Sequence, residues 1–208
     1  MLIQMKNLDK QLLAMDRQSN HPKPNLAQDN IRTKAIWTVT AVALLGLGVL
    51  VVLIMREPDP IPGLALYGRQ LRGHDNNIII PAGDLPPAGG VHYDAWQVCG
   101  IYTEPIDPGN AVHSLEHGAV WITYQPDLPA AQIEQLQNLA RDEPYLLLSP
   151  YPHQRSPIAL TAWAAQLEVD SAADERIRTF IQRYRLGPST PERGGACSGG
   201  GGVGSPLP

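Results

Sequence analysis

The longest apolar run is the feature that most limits what this sequence can fold into. Residues 35–55, from Ala35 to Met55, are 21 consecutive residues without a charged side chain. A helix needs about 20 apolar residues to cross a hydrocarbon layer roughly 30 Å thick. A secretory signal would place a shorter run, of about 7–15 residues, close to the N-terminus. Because 34 mostly polar residues come first, the sequence predicts an uncleaved transmembrane helix over residues 35–55.

The basic residues indicate the side of the membrane on which each part lies. All four lysines precede the apolar run, and residues 56–208 contain 10 arginines against 17 acidic residues, a formal charge of −7. Cytoplasmic flanks of membrane spans carry an excess of Lys and Arg. We therefore expect a single-pass protein of the cell membrane, anchored in lipid, with a cytoplasmic tail over residues 1–34 and everything after Met55 outside. The acidic outer part disfavours binding to nucleic acid.

The outer region divides into a spacer, a folded part and a tail. Residues 56–63 are rich in proline, which predicts a stiff spacer. Residues 189–208 form a Gly- and Pro-rich tail, which we expect to be flexible unless Cys197 anchors it. Between them, residues 64–188 carry the patterns of regular secondary structure.

Within residues 64–188, β-branched, aromatic and apolar runs predict strands over 119–124, 145–149 and 158–163, and a short strand at 77–81. Helical periodicity predicts one helix over 129–142 and a last helix that Ser171 caps and Gly187 ends. This order predicts an α+β class, a small single-sheet extracytoplasmic domain with two helices.

The two cysteines, Cys99 and Cys197, both fall on the predicted outer side, where disulfides persist. Only one intramolecular pairing is possible, and we expect it to tie the tail to the domain. Two alternatives stay open. Cys99 could be a metal thiolate, although it has no C-x-x-C partner, or both thiols could be unpaired.

The strongest chemical signal is the stretch His113-Ser-Leu-Glu-His117. Two histidines four residues apart lie on the same side of a helical turn, which suits a shared metal ion or a pair of hydrogen bonds. His92 and His74 lie just after glycines on predicted loops that can fold over this turn. They are therefore candidate further ligands, with His92 first. Imidazole suits copper and zinc alike.

Three functions remain open for these residues. In the favoured one, the histidines bind copper or zinc without catalysis, no residue is catalytic, and Glu116 supports the ligands. In the second, the protein is a non-catalytic accessory subunit of a larger membrane complex, with structural histidines and with Glu116 paired to Arg69 or Arg72.

The third is a metallohydrolase, because the stretch fits the H-x-x-E-H pattern with Glu116 as base. A distant carboxylate would be the third ligand, and the candidates are Glu143, Glu168 and Glu175. Against this function, such motifs need a long helix, whereas Gly118 and the β-branched run after it predict that the helix stops at His117.

Three separate blocks of the outer region carry a family resemblance. They are residues 86–92 (PPAGGVH), 96–102 (WQVCGIY) and 112–120 (VHSLEHGAV). In this order they resemble the bacterial domain-of-unknown-function family 3105, and the likeness runs from about His74 to the tail at Cys197. The sequence departs at Ala88-Gly89, where the family more often has Thr-Ser-Gly before Pro-His. The resemblance implies the family's fold and one N-terminal membrane span. It implies no reaction, since the family carries no established activity.

The charge asymmetry predicts the topology of the chain in cells. A tag fused to the C-terminus should react with a membrane-impermeant reagent on intact cells. A tag at the N-terminus should react only after the membrane is broken, and it serves as the control for cell integrity. A C-terminal tag found only in the cytoplasm would refute the predicted orientation.

Overall fold

The computed structural model describes residues 26–54, 60–81 and 83–208. Residues 1–25 of the predicted cytoplasmic tail, residues 56–59 of the predicted spacer, and Met55 lie outside the described residues. The chain divides into two compact units, residues 1–58 and residues 59–208.

The first unit contains helix α1, Leu26–Ile54. Its stretch Lys34–Val52 is long and apolar enough to cross a membrane. Large apolar side chains on different sides of the helix, such as Ile36, Trp37 and Leu45, are 65–71% exposed. A helix that is apolar all round and not buried in protein suits a lipid environment. The described part of the chain thus contains one N-terminal apolar helix of spanning length, either an anchor or a signal sequence.

The second unit is built on one mixed sheet. Its strands are β1 (Ala65–Leu66), β2 (Gly100–Ile101), β3 (Val120–Tyr124), β4 (Leu146–Pro150), β5 (Ile158–Ala162) and β6 (Ala165–Val169). The strand order is β1-β6-β5-β3-β4-β2. The β3–β4 and β4–β2 pairs are parallel, and the β3–β5, β5–β6 and β6–β1 pairs are antiparallel. Its helices are α2 (Pro108–His117), α3 (Ala130–Ala140) and α4 (Arg176–Tyr184).

Both faces of the sheet are covered, so the unit has three layers. Successive residues of a strand face opposite sides. In β3, Ile122 belongs to the core that contains Leu136 of α3 and Phe180 of α4, while Trp121 belongs to a second core with Leu115 of α2. Helices α3 and α4 therefore cover one face of the sheet, and α2 covers the other.

The predicted α+β class with a single sheet is confirmed. Helices α3 and α4 are the two predicted ones, and the structure adds α2, on which the His113–His117 stretch lies. The predicted cap at Ser171 is wrong, because its hydroxyl accepts a hydrogen bond within a turn and α4 begins only at Arg176. The predicted strand at 77–81 is also wrong. Its Ile79 is 91% exposed, and the segment pairs with no strand among the described residues.

The packing of α4 predicts a large effect of one core substitution. Phe180 is fully buried against the sheet, so Phe180→Ala should lower the free energy of unfolding by about 3–5 kcal/mol. Ile79→Ala removes an exposed apolar side chain and should change it by less than about 0.5 kcal/mol. Urea-induced unfolding of the chain in detergent measures both values. Equal effects of the two substitutions would contradict the described core.

Candidate metal centre

Helix α2 carries the three titratable groups of the motif, His113, Glu116 and His117. The helix begins after Asp107, whose carboxylate accepts a hydrogen bond from the Gly109 amide at 2.8 Å. It ends at Gly118, which adopts the left-handed conformation with φ 110°, as glycine does at helix ends. The prediction that the helix stops at His117 is therefore confirmed, and the motif occupies the last two turns.

His74 and His92 come from two loops that pair with each other. The Asp75 amide donates to the His92 carbonyl at 2.8 Å, and the His92 amide donates to the Gly73 carbonyl at 3.0 Å. These loops lie against α2, so the ring centroids of His74 and His92 are 4.6 and 4.9 Å from that of His113. Residues that are far apart in the sequence thus meet at one end of the helix.

Three of the imidazole rings have one nitrogen committed to the backbone. The Nδ1 atoms of His92, His113 and His117 lie 2.9, 2.7 and 2.5 Å from the carbonyl oxygens of Gly90, Tyr93 and Ala196. Because a carbonyl oxygen can only accept, each Nδ1 must carry the proton and donate it. In a neutral imidazole the other nitrogen, Nε2, is then an acceptor.

These Nε2 acceptors face other acceptors. The Nε2 atoms of His113 and His117 are 3.1 Å apart, and Nε2 of His92 is 3.0 Å from Oε2 of Glu116. Nε2 of His92 and Oε2 of Glu116 are within ion-pair distance but do not have the geometry of a hydrogen bond. Nε2 of His92 therefore has no hydrogen-bond partner in the described part of the chain. Buried acceptors without a donor are unfavourable. These nitrogens therefore require a hydrogen-bond donor or a cation, such as a proton, a water molecule or a metal ion.

Burial disfavours the proton at His113, which is 4% exposed. Desolvation lowers the pKa of His113 below its usual value, and the neighbouring His117, His92 and His74 lower it further. The hydrogen bond to the Tyr93 carbonyl acts in the opposite direction and does not reverse the shift. At neutral pH this imidazole is therefore uncharged, which is the form that binds a metal ion.

Glu116 is 2% exposed and is held by an arginine. Its Oε1 accepts a hydrogen bond from Nε of Arg72 at 2.7 Å. Of the two arginines predicted as partners of Glu116, Arg69 and Arg72, the structure thus selects Arg72. Arg72 also donates to Glu192 of the tail at 3.0 Å. Oε2 of Glu116 faces Nε2 of His92, and it lies 3.7 Å from Nε2 of His74. The carboxylate thus adds negative charge beside two of the histidines.

Three of the histidines could hold a metal ion. The ligand nitrogens of His74, His92 and His113 all lie within 4.8 Å of one another. His74 is the exposed member, with 38% of its side chain accessible, so the cluster opens to solvent on that side. His117 adjoins this group through its contact with His113. Of the four histidines that were predicted as ligands, the structure thus brings His74, His92 and His113 within ligand distance of one another and places His117 beside His113.

The carboxylates suggested as a hydrolase ligand have other contacts. Glu143 is paired with Arg185, and Glu168 with Arg155. Glu175 is the residue immediately before helix α4. The group of potential ligands found among the described residues consists of histidines alone.

The C-terminal tail closes the end of helix α2. The amides of Glu192 and Gly194 donate to the carbonyls of Glu116 and His117 at 2.9 and 3.0 Å. These two carbonyls are among those that a helix end leaves unpaired. The tail also supplies the Ala196 carbonyl that orients the His117 ring. Sequence reasoning missed these tail residues, because they act through their backbone atoms.

The two cysteines join the tail to the domain. Cys99 and Cys197 lie at disulfide distance, with their Cα atoms 5.2 Å apart, and the Cys99 amide donates to the Cys197 carbonyl at 2.6 Å. The predicted importance of Cys197 for the tail was the one sequence signal that pointed to this contact. A disulfide between them suits an oxidising environment.

The lowered pKa of His113 predicts how the metal-free chain responds to acid. Unfolding returns this pKa to about 6.5, so below that pH the unfolded chain binds more protons than the folded chain. The free energy of unfolding should therefore fall as the pH drops below about 6.5, and the loss should level off below the folded-state pKa. An NMR titration, with His113→Asn to identify the signal, should give His113 a midpoint below about 6.5. A higher midpoint would contradict this description of the cluster.

A comparison with known families supports the resemblance seen in the separate blocks. A sequence model of the family described as Protein of unknown function (DUF3105) matches residues 80–199. His92, His113, His117 and both cysteines lie in the matched region, and His74 lies shortly before it. No curated protein and no solved structure matches the chain. Because the match covers more than half of the 208 residues, the chain belongs to the DUF3105 family.

Proposed function

We propose that this domain binds a divalent transition metal ion, zinc or copper(II), through His74, His92, His113 and His117, and that it does so without catalysis. The observation that carries the proposal is the orientation of the imidazoles. Three Nδ1 protons are committed to backbone carbonyls, so three Nε2 lone pairs are available to a metal ion. Metal-binding histidines commonly donate their other N–H to a carbonyl or carboxylate in this way.

The spacing of the ligand atoms supports a tetrahedral site. Zinc–nitrogen distances of roughly 2.0–2.1 Å put two ligand nitrogens roughly 3.3 Å apart. The His113 and His117 nitrogens, at 3.1 Å, are close to that spacing. Within the group of His74, His92 and His113, nitrogens that are up to 4.8 Å apart would have to approach by at most about 1.5 Å, and His117, which lies outside that group, would also have to come closer to His74 and His92. The His74 side chain is 38% exposed and its ring nitrogens lie 3.8 and 3.7 Å from the carboxylates of Asp94 and Glu116, so the ring has room to move.

The available donor atoms favour a divalent ion of intermediate softness. All four methionines of the chain lie at or before residue 55, and both cysteines of the chain lie at disulfide distance from each other. Nitrogen and carboxylate oxygen are thus the donors that the cluster offers. Imidazole suits zinc and copper, whereas thiolate and thioether ligands select softer ions such as copper(I).

The environment of Glu116 supports binding rather than hydrolysis. A catalytic base needs a carboxylate oxygen that can take a proton from a metal-bound water. One oxygen of Glu116 is bonded to the guanidinium of Arg72, and the other faces His92. We therefore assign Glu116 the role of neutralising and orienting the histidines.

The proposed location is the outer surface of the cell membrane. Helix α1 would be the single membrane anchor of residues 35–55, and residues 64–188 would form the extracytoplasmic domain. The paired cysteines and the excess of basic residues before α1 support this orientation. From there the domain would hold its metal ion within reach of a membrane protein complex.

Metal titration of two variants tests the proposal. His113→Ala removes a ligand, so it should weaken zinc and copper(II) binding by more than the roughly 10–100-fold that loss of a supporting residue causes. Glu116→Gln keeps an acceptor for Arg72 but removes the charge beside the histidines, so its effect should be smaller than that of His113→Ala and should not exceed the roughly 10–100-fold of a supporting residue. The chain is purified in detergent without chelators, and bound metal is measured by equilibrium dialysis.

His153→Asn is the matched control, because His153 is an exposed histidine with φ 66°, a conformation that asparagine tolerates. This variant should bind like the wild type. If the wild-type chain binds neither zinc nor copper(II) above background, the metal proposal fails. The histidines would then be structural, as in the accessory-subunit alternative. Peptide hydrolysis that is lost in Glu116→Gln would instead support the hydrolase.

A further inference from the structure

The segment Glu192–Cys197, here called the strap, joins the end of helix α2 to Cys99. We infer that the metal centre is complete only after Cys99 and Cys197 have been oxidised to a disulfide, because this bond holds the strap on His117. The inference rests on the proposed metal-binding function. It adds that the site assembles as a consequence of oxidative folding.

The strap contacts the last turn of α2, which carries Glu116 and His117. Through backbone atoms, it accepts the Nδ1 proton of His117 and bonds to the carbonyls of Glu116 and His117. Through its Glu192 side chain, it reaches Arg72 at 3.0 Å, and Arg72 in turn holds Glu116. Oxygen Oε2 of Glu192 also lies 3.8 Å from Nε2 of His117. Loss of the strap would therefore release His117 and leave Arg72 with a single carboxylate.

Gly195 brings the strap directly onto the His117 ring. A Cβ atom added at Gly195 would lie 2.5 Å from Cδ2 of His117, which is closer than such atoms approach in proteins. The Gly195 carbonyl accepts a hydrogen bond from the Tyr145 hydroxyl at 2.9 Å, which holds this backbone in position. The close approach lets the next residue, Ala196, present its carbonyl to Nδ1 of His117. The tautomer that leaves Nε2 available thus depends on the position of the strap.

Cys197 is the last residue of the strap and its covalent attachment. Its partner Cys99 is 98 residues away in the sequence, so a bond between them closes a long loop and strongly restricts the free chain. The other contacts of the strap are single hydrogen bonds, and each contributes little net stability. Without the bond, only these hydrogen bonds and the backbone bonds of Val203 and Leu207 beyond the strap offset the entropy of ordering it.

The chemical step is a thiol–disulfide exchange. The thiols of Cys99 and Cys197 lose two protons and two electrons, and the disulfide of an oxidoreductase or of a small-molecule oxidant takes up both, the protons by way of solvent. One sulfur–sulfur bond forms in this chain, and the bond of the oxidant breaks and gives a dithiol. In a reducing compartment the exchange runs the other way. The chain would therefore acquire high metal affinity only after it leaves such a compartment.

Zinc binding by the full chain in detergent tests this dependence. Cys99→Ser combined with Cys197→Ser prevents the bond and leaves no thiol that could bind zinc. The affinity should fall by roughly 10–100-fold, as expected when a residue that orients a ligand is lost. His117→Ala should weaken zinc binding in the wild type and should have a smaller effect in the double-serine chain. His153→Asn should have no effect in either background.

Two further measurements keep the test decisive if the double-serine chain folds poorly. Gly195→Ala retains both cysteines and displaces the strap from His117, so it should cause a similar loss of affinity. In the metal-free chain, trypsin should cut after the exposed Arg193 faster in both variants than in the wild type. Thiol labelling of the unreduced, denatured wild-type chain should detect no free cysteine.

Different outcomes separate the two proposals. The role of the strap is overturned if the double-serine chain and Gly195→Ala both bind zinc with an affinity within about twofold of the wild type. The proposed metal function would still stand in that case. Two reactive thiols in the unreduced wild-type chain overturn the strap inference as well. A wild-type chain that binds no zinc and no copper(II) overturns the metal function and, with it, this inference.

Discussion

The interaction on which the candidate centre depends is the hydrogen bond from each buried imidazole to a backbone carbonyl. The carbonyls of Gly90, Tyr93 and Ala196 accept the Nδ1 protons of three histidines and so determine which nitrogen is left unprotonated. Side chains alone could not fix this choice, since a neutral imidazole can carry its proton on either nitrogen. Because the three carbonyls belong to two separate segments of chain, the chemistry of the cluster is a property of the tertiary fold.

The three-layer architecture explains why the cluster lies at the end of α2. Helices α3 and α4 cover one face of the sheet, and α2 packs on the other through residues such as Leu115. Irregular segments, and not a second helix, therefore pack against the end of α2. The paired loops around His74 and His92 supply two ligands, and the strap supplies backbone partners for the last turn. Irregular segments held by a rigid scaffold are where binding residues commonly lie.

Much of the fold was predictable, and the failures have physical causes. Long or strongly patterned elements such as α1, β3 and α3 were predicted, because burial imposes a clear period or an unbroken apolar run. Strand β6 was missed although it is as long as β3 and its residues Ala165, Leu167 and Val169 alternate with Gln166 and Glu168, as in a strand. The isoleucines at 78–80 have the composition of a strand but have no sheet edge to pair with, so composition alone was misleading there.

The candidate site was predictable to the extent that it depends on side chains. The spacing of His113 and His117 and the glycines before His74 and His92 pointed to the four rings. The partners that orient those rings left no signal, because a backbone carbonyl is the same in every residue. Arg72 was one of two candidate partners for Glu116, and only the tertiary structure could select it.

X-ray absorption spectroscopy of the zinc-loaded full chain tests the central claim most directly. The account predicts a first shell of nitrogen or oxygen atoms at roughly 2.0–2.1 Å with imidazole outer-shell scattering, and loss of part of that scattering in His92→Ala. It predicts no sulfur at the roughly 2.3 Å typical of a zinc–thiolate bond. A sulfur shell, or a spectrum that His92→Ala leaves unchanged, would contradict it.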